Sequence, residues 1–305
     1  MANCLVLGGN GLIGSFIAEQ LASQGHSVKA FDRFNGQDNL KNAAGVEKVK
    51  GDYLKREQVK KALEGIEIVF HSLHTTVPVS SIKDPLHDAE TNILPAIGLL
   101  EDCVGAGVKK FVYLSSIAVY GIPEKSPIGE DAKTIPVSPY GVSKLAIEEY
   151  VKYFGRAKGL GFVIVRPSAT YGERQVLSPE TGVVANFVFN ALKKQALSIR
   201  GKGEAVRDLT HGEDIAKGVL KAAFTDAKSK IFNLGTGKGI SLNKLAEKVG
   251  EAVGEKPEIK YEGSSRGIQE HVYDVSRAKE ELGWEAEIEI AEGLKRCVEK
   301  FKEVI

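Results

Sequence analysis

Short apolar runs alternate along this chain with longer segments in which apolar residues recur every three or four positions. The runs lie at roughly 3–7, 28–32, 46–50, 67–71, 110–115 and 161–166, and their length and lack of polar interruption predict strands buried on both faces. Between them, roughly 12–24, 88–106 and 141–155 carry the period of amphipathic helices. Strand and helix in alternation predict an α/β fold built on a doubly wound parallel sheet, its right-handed crossovers placing helices on both faces. After Pro167 the pattern loosens. Residues 172–182 lack a period and read as a loop, followed by a helix over roughly 183–195. A helix near 213–224 and a strand at 231–234 return to the sheet, and further helices fall near 241–254, 276–282 and 291–302. The expected division is a first domain of 1–166 plus about 208–238, and a smaller C-terminal α/β substrate lobe of about 167–207 plus 239–305.

Composition narrows the classes of function. The 305 residues carry a net charge of +1, with the basic residues scattered, so no broad field draws in nucleic acid or a membrane surface. No zinc or nucleic-acid motif is present, and no apolar run approaches a membrane span, so neither partner is expected. Cys4, Cys103 and Cys297 are odd in number and far apart, which predicts buried free thiols and a reducing, cytoplasmic setting. The chain enters a strand at once without a basic leader, so no signal peptide is expected.

Three motifs carry chemistry. Leu7-Gly8-Gly9-Asn10-Gly11-Leu12-Ile13-Gly14 leads from the first strand into the first helix. Glycines at 8, 11 and 14 allow a tight turn and let a pyrophosphate approach the helix N-terminus. Asp32 ends the next strand, where a carboxylate accepts hydrogen bonds from ribose hydroxyls and repels a 2′-phosphate, favouring NAD over NADP; Arg33 beside it blunts that preference. The run Tyr113-Leu114-Ser115-Ser116 ends a strand, where ligands of such sheets bind, and places the Ser116 hydroxyl near a reacting oxygen. Tyr140 and Lys144 share one helix face; an ammonium near a phenol stabilises the phenolate and prepares a general base. Tyr-x-x-x-Lys alone is common on solvated helices; the glycine turn and Ser116 upstream give it meaning.

With these motifs in this order the chain resembles, over essentially its whole length, an extended short-chain dehydrogenase/reductase of the NAD-dependent epimerase/dehydratase group. Gly51-Asp52, Arg166-Pro167, Tyr171-Gly172, Gly201-x-Gly203, Arg207-Asp208, Asn233-Leu234-Gly235-Thr236-Gly237, Arg266, Asp274 and Leu282-Gly283-Trp284 extend the match. The resemblance implies a Rossmann-type fold with tightly bound, recycled NAD, and the branch that interconverts UDP-glucose and UDP-galactose at C4. It implies catalysis by Ser116, Tyr140 and Lys144, with Tyr140 taking the C4 hydroxyl proton. NAD is expected at Gly8, Gly11, Leu12, Ile13, Asp32, Arg33, Asp52, Tyr53, Leu73, His74, Asn92, Ser115, Tyr140, Lys144 and Pro167. The UDP-sugar is expected at Ser116, Tyr140, Ala169, Arg174, Asn186, Arg207, Arg266 and His271, with Arg207 and Arg266 on the diphosphate and His271 near the sugar 2-substituent. A homodimer through the helices near 88–106 and 141–155 is implied too.

Some positions depart from the pattern. Leu73 and His74 replace small residues, and Ala169 replaces an asparagine. Three other activities use much of the same frame: a 4-keto reductase, a dehydratase, and a non-catalytic dinucleotide-binding regulator. A dehydratase needs acid–base groups just after the serine, and Ile117 and Ala118 cannot move protons.

Overall fold

The computed structural model describes residues 1–177, 182–226, 230–263 and 270–305. Arg266, one of the two arginines expected at a diphosphate, lies outside the described residues. The predicted strands form as β1 (Asn3–Leu7), β2 (Ser27–Asp32), β3 (Val46–Lys50), β4 (Ile68–His71), β5 (Lys110–Leu114) and β6 (Gly161–Pro167). With Ile231–Leu234 they make one seven-stranded parallel sheet in the order Ile231–Leu234, β6, β5, β4, β1, β2, β3. The order reverses at β1, which sits between β4 and β2, and that switch opens a crevice at the carboxyl ends of the strands.

Period-two alternation sends each strand's side chains to two cores. Cys4, Val6, Val28 and Ala30 face one side and pack on Phe16, Ile17 and Leu21 of α1 (Leu12–Ser23). Leu5, Leu7, Phe31 and Val69 face the other and pack among Val59, Leu99, Leu100, Ile147 and Val151. Those residues come from α2 (Arg56–Ala62), α4 (Pro85–Gly105) and α5 (Pro139–Lys158); a short α3 (Pro78–Lys83) precedes α4. The three cysteines are free and buried.

A third core belongs to the C-terminal lobe. Val184 and Val188 of α6 (Val183–Leu192), Leu245 and Val249 of α8 (Leu242–Val253), and Leu294 and Phe301 of α10 (Ile290–Lys302) close around the strand Leu197–Arg200. Between α6 and α8, α7 (Gly212–Phe224) returns to the sheet, as its period predicts. Helix α9 (Ser276–Leu282) joins the sheet side: Ala278, Leu282 and Trp284 pack with Ile215 and Val219 of α7. Trp284 is 2% exposed, and its indole N–H donates to the Asp214 carbonyl at 3.1 Å.

Helix α2 was not legible because only Val59 and Ala62 of its residues are buried, too few to show a period. The short strands Val206–Arg207, Ile240–Ser241 and Glu270–His271 pair only with one another, across long sequence distances. We expect Trp284→Ala to lower folding stability by about 3–5 kcal/mol. Urea unfolding followed by circular dichroism measures this directly.

Candidate active site

A cavity of about 940 Å³ opens at the carboxyl ends of β1, β4, β5 and β6, lined among others by Gly11, His74, Ser116, Tyr140, Lys144 and Pro167. Its floor is the glycine turn. Gly8 has φ +76° and its backbone abuts that of Leu73; a Cβ on Gly14 would fall 2.1 Å from the Gly8 carbonyl oxygen. Gly11 caps α1 without a side chain, and Leu12, Ile13 and Gly14 of the first turn line the cavity. Beside it the Asp32 carboxylate accepts the N–H groups of Asn10 (3.0 Å) and Arg33 (2.7 Å). A helix N-terminus capped by glycine, with a fixed carboxylate beside it, fits the pyrophosphate and ribose of a dinucleotide.

Other expected cofactor residues are placed differently. Asp52 caps its own turn, accepting the Leu54 N–H at 3.0 Å. Tyr53 turns into the core, its hydroxyl 2.9 Å from His71 Nε2, because the ring completes the packing beneath β4. The Arg33 side chain is exposed. Asn92 is buried and its amide is used structurally, donating to the Asp88 carbonyl (2.8 Å) and accepting from the Thr75 N–H (2.9 Å).

Ser116, Tyr140 and Lys144 converge. Ser116 caps the short 3₁₀ turn Ile117–Tyr120 by accepting the Ala118 N–H at 3.1 Å, and it lines the cavity together with Tyr140. Ser138 caps α5, and Ser81 Oγ accepts the Tyr140 N–H at 3.0 Å, fixing the helix start that carries the phenol. Lys144, one turn on, donates to the Leu114 carbonyl at 2.8 Å, with Nζ 5.8 Å from the centre of the Tyr140 ring.

The electrostatics correct one expectation. Burial raises the Tyr140 phenol above its ordinary value; the Ser116 hydroxyl works against this, and the charge of Asp88 adds to it. Lys144 is itself pushed down to about 7 by burial, against the pull of Glu148 and Asp88. Both members of the pair are out of water, so desolvation outweighs the mutual help that their spacing promises.

The neighbouring Ser115 donates its hydroxyl to Glu148 Oε1 at 2.5 Å. Glu148 also receives Arg166 through two bonds of 2.9 and 2.6 Å, and Arg166 donates to the Tyr120 hydroxyl at 2.9 Å. Arg166 and Asn233 thus belong to a buried frame, Asn233 accepting from Tyr120 at 2.6 Å. Glu148 escaped the sequence reading, although its place four residues after Lys144 on one helix face was a signal.

On the far wall stand Pro167, Ala169 and His271. Burial, then the nearby Arg207, lowers His271 to about 4, and its Nε2 is buried without a partner. Arg207 lies opposite His271 in the strand register, half-buried, its Nη1 donating to the Val206 carbonyl at 2.8 Å. Asp208 accepts from Thr236 and Gly237, and Asp214 from Glu287 and Ile288. Arg174 is not on the substrate wall: it pairs with Glu19 and lies 3.8 Å over the Phe16 ring, because the loop carrying it packs on α1. Asn186 sits on α6, apart from the described residues that line the cavity.

A doubly wound sheet with this glycine turn and a Ser–Tyr–Lys group defines a protein of the short-chain dehydrogenase/reductase type. The chain belongs to the NAD dependent epimerase/dehydratase family, whose model matches residues 4–235. It is 32% identical to the UDP-glucose 4-epimerase of Mycolicibacterium smegmatis, over 98% of each chain. It superposes on the UDP-glucose 4-epimerase of Thermotoga maritima solved with UDP-glucose, with a TM-score of 0.92, 33% identity and 99% of each chain covered. The Thermus thermophilus UDP-glucose 4-epimerase solved with NAD gives a TM-score of 0.90 and 31% identity, over 99% of this chain and 100% of that one.

Lys144 links the site to stability. With its folded value near 7, below the ordinary lysine value of 10.5, the unfolded chain binds more protons between those limits, so this group makes stability rise with pH across that window. The unfolding free energy of wild type minus that of Lys144→Met should therefore increase from pH 7 towards pH 10. Urea titrations of both proteins at several pH values check the slope.

Proposed function

We propose that this chain is an NAD-dependent sugar-nucleotide 4-epimerase, an isomerase with UDP-glucose and UDP-galactose as its substrate pair. The observation that carries the reading is the meeting of Ser116, Tyr140 and Lys144 in one cavity with Gly11, Leu12, Ile13 and Gly14 at the start of α1. Full-length likeness to 4-epimerases supports it. The turn at Gly8 and Gly11 with Leu12 and Ile13 would hold the pyrophosphate, Asp32 a ribose, and Pro167 the wall beside the nicotinamide. NAD when bound supplies the acceptor that takes hydride from sugar C4 and returns it to the opposite face of the 4-keto sugar, so the cofactor is recycled in place.

The chain's own groups handle the proton and the orientation. Tyr140 receives the C4 hydroxyl proton at Oη, and Ser116 hydrogen-bonds the same oxygen as its charge changes. The Lys144 ammonium favours the ionised phenol once the site is filled. Arg207 holds the diphosphate at one end, which leaves the sugar free to turn over before it takes hydride back. Elimination is disfavoured, because Ile117 and Ala118, which line the cavity beside Ser116, carry no acid or base.

The division of labour follows the two lobes, 1–166 with 208–238 for NAD and 167–207 with 239–305 for the nucleotide sugar, α9 siding with the first. Exposed apolar side chains on α4 and α5, among them Leu94, Val142, Tyr150 and Tyr153, suit a homodimer that pairs these helices between two copies. Among the described residues no helix is long and apolar enough to cross a membrane, in keeping with a cytoplasmic enzyme.

Two experiments test the reading. Purified protein given UDP-galactose without added coenzyme should form UDP-glucose, and Tyr140→Phe should lower kcat by about 10²–10⁴ while keeping the fold. A protein that leaves UDP-galactose unchanged but reduces a 4-keto sugar nucleotide with added NADPH would replace the epimerase by a reductase, and a fully active Tyr140→Phe would remove that residue from the chemistry. Arg207→Leu should raise KM for UDP-galactose by about ten- to a hundred-fold with NAD affinity unchanged, the loss of one charge-assisted contact. Calorimetry with UDP, which carries the diphosphate without the sugar, checks it; equal UDP affinity in both proteins would exclude this placement.

A further inference from the structure

His74 stands in the cavity wall with its ring nearly perpendicular to that of Tyr140, centroids 4.7 Å apart and planes at 76°. Both ring nitrogens are buried without a hydrogen-bond partner. Nε2 lies 3.6 Å from Asp88 Oδ1, beyond hydrogen-bond range. Asp88 is fully buried and tied down: the Thr76 hydroxyl donates to Oδ1, and the Ser143 hydroxyl to Oδ2 at 2.5 Å. Burial opposes its charge, yet the nearby His74 ring and the hydroxyls of Ser143 and Thr76 hold it down at about 2.

These contacts lock three elements together. The segment after β4 carries His74 and Thr76, α4 carries Asp88, and α5 carries Tyr140, Ser143 and Lys144. Turning a phenol about its Cβ–Cγ bond leaves the oxygen in place but swings its in-plane lone pairs, so a base that meets a substrate hydroxyl needs its ring plane held as well as its oxygen. Ser138 and Ser81 fix the backbone of Tyr140, but neither sets the plane of the ring. A second ring packed edge against face does set it.

We propose that His74 is a positioning residue for Tyr140: its ring, packed nearly perpendicular to the phenol, fixes the plane of that phenol against the sugar C4 hydroxyl. The inference rests on the epimerase reading. His74 is lowered to about 4, by burial first and then by the charge of Lys144, so at neutral pH it acts as an uncharged aromatic ring. Tyr140 and Lys144 on α5, Asp88 on α4 and His71 on β4 are the titratable groups that act on it or feel it.

Because the ring acts uncharged, phenylalanine can replace it and leucine, which fills similar space, cannot. In UDP-galactose epimerisation, His74→Leu should lose about tenfold in kcat with KM within about twofold, and His74→Phe should regain most of kcat. A leucine variant as fast as wild type overturns the proposal, and so does a phenylalanine variant as slow as the leucine one. The flip rate of the Tyr140 ring, measured by NMR, needs no turnover. It should rise in His74→Leu and stay near wild type in His74→Phe; equal rates in all three proteins overturn the proposal even if the wild type acts on another substrate. A wild type inactive on UDP-galactose with the expected flip rates counts against the epimerase reading alone.

Discussion

Beneath the cavity a carboxylate and a guanidinium lie together out of water, and the placement of α5 depends on them. Glu148 and Arg166 meet through two hydrogen bonds, each side chain almost wholly enclosed. A buried pair of this kind adds little net stability over an apolar pair of the same shape, but losing one partner strands the other at a cost of about 3–5 kcal/mol. The pair therefore acts as a register pin. It admits one position of α5 against β6, and that position carries Tyr140 and Lys144 to the carboxyl end of β5. Ser115 and Tyr120 attach to the same pair, so the segment bearing Ser116 is pinned with the helix.

Burial also sets the charge of the site. Lys144 lies near neutrality, and His74 and His271 are held well below the usual imidazole range. Two carboxylates on different elements, Glu148 and Asp88, push Lys144 back towards its charged form. The Tyr140 phenol feels Asp88 with the opposite consequence for its ionisation. The cavity thus starts with a tyrosine that resists losing its proton, and a filled site has to supply the difference by excluding water and bringing polar groups to its oxygen.

The two cores of the sheet and the third core of the C-terminal lobe divide the work between a rigid platform and a wall. The glycine turn, Ser116, Tyr140 and Lys144 rise from the platform, while His271 faces them from the lobe. His271 is carried by a two-residue strand that pairs with Arg207, so the wall is built from chain segments far apart in sequence.

The sequence by itself determined the parallel sheet, the long helices, the glycine turn and the Ser116–Tyr140–Lys144 group. Each has a local signature: a run, a period, or a fixed spacing within one element. Only the tertiary structure decided that Ser115 bonds Glu148, that Asn92 and Tyr53 serve the frame, and that Arg174 packs on α1 beside Glu19. The same holds for the partners Asp88 and His74, brought together from α4 and the segment after β4, and for the direction in which Tyr140 is shifted. The physical reason is common to these cases. Hydrogen-bond choice and desolvation depend on what lies across a contact, and the residues across these contacts stand tens of positions away in the chain.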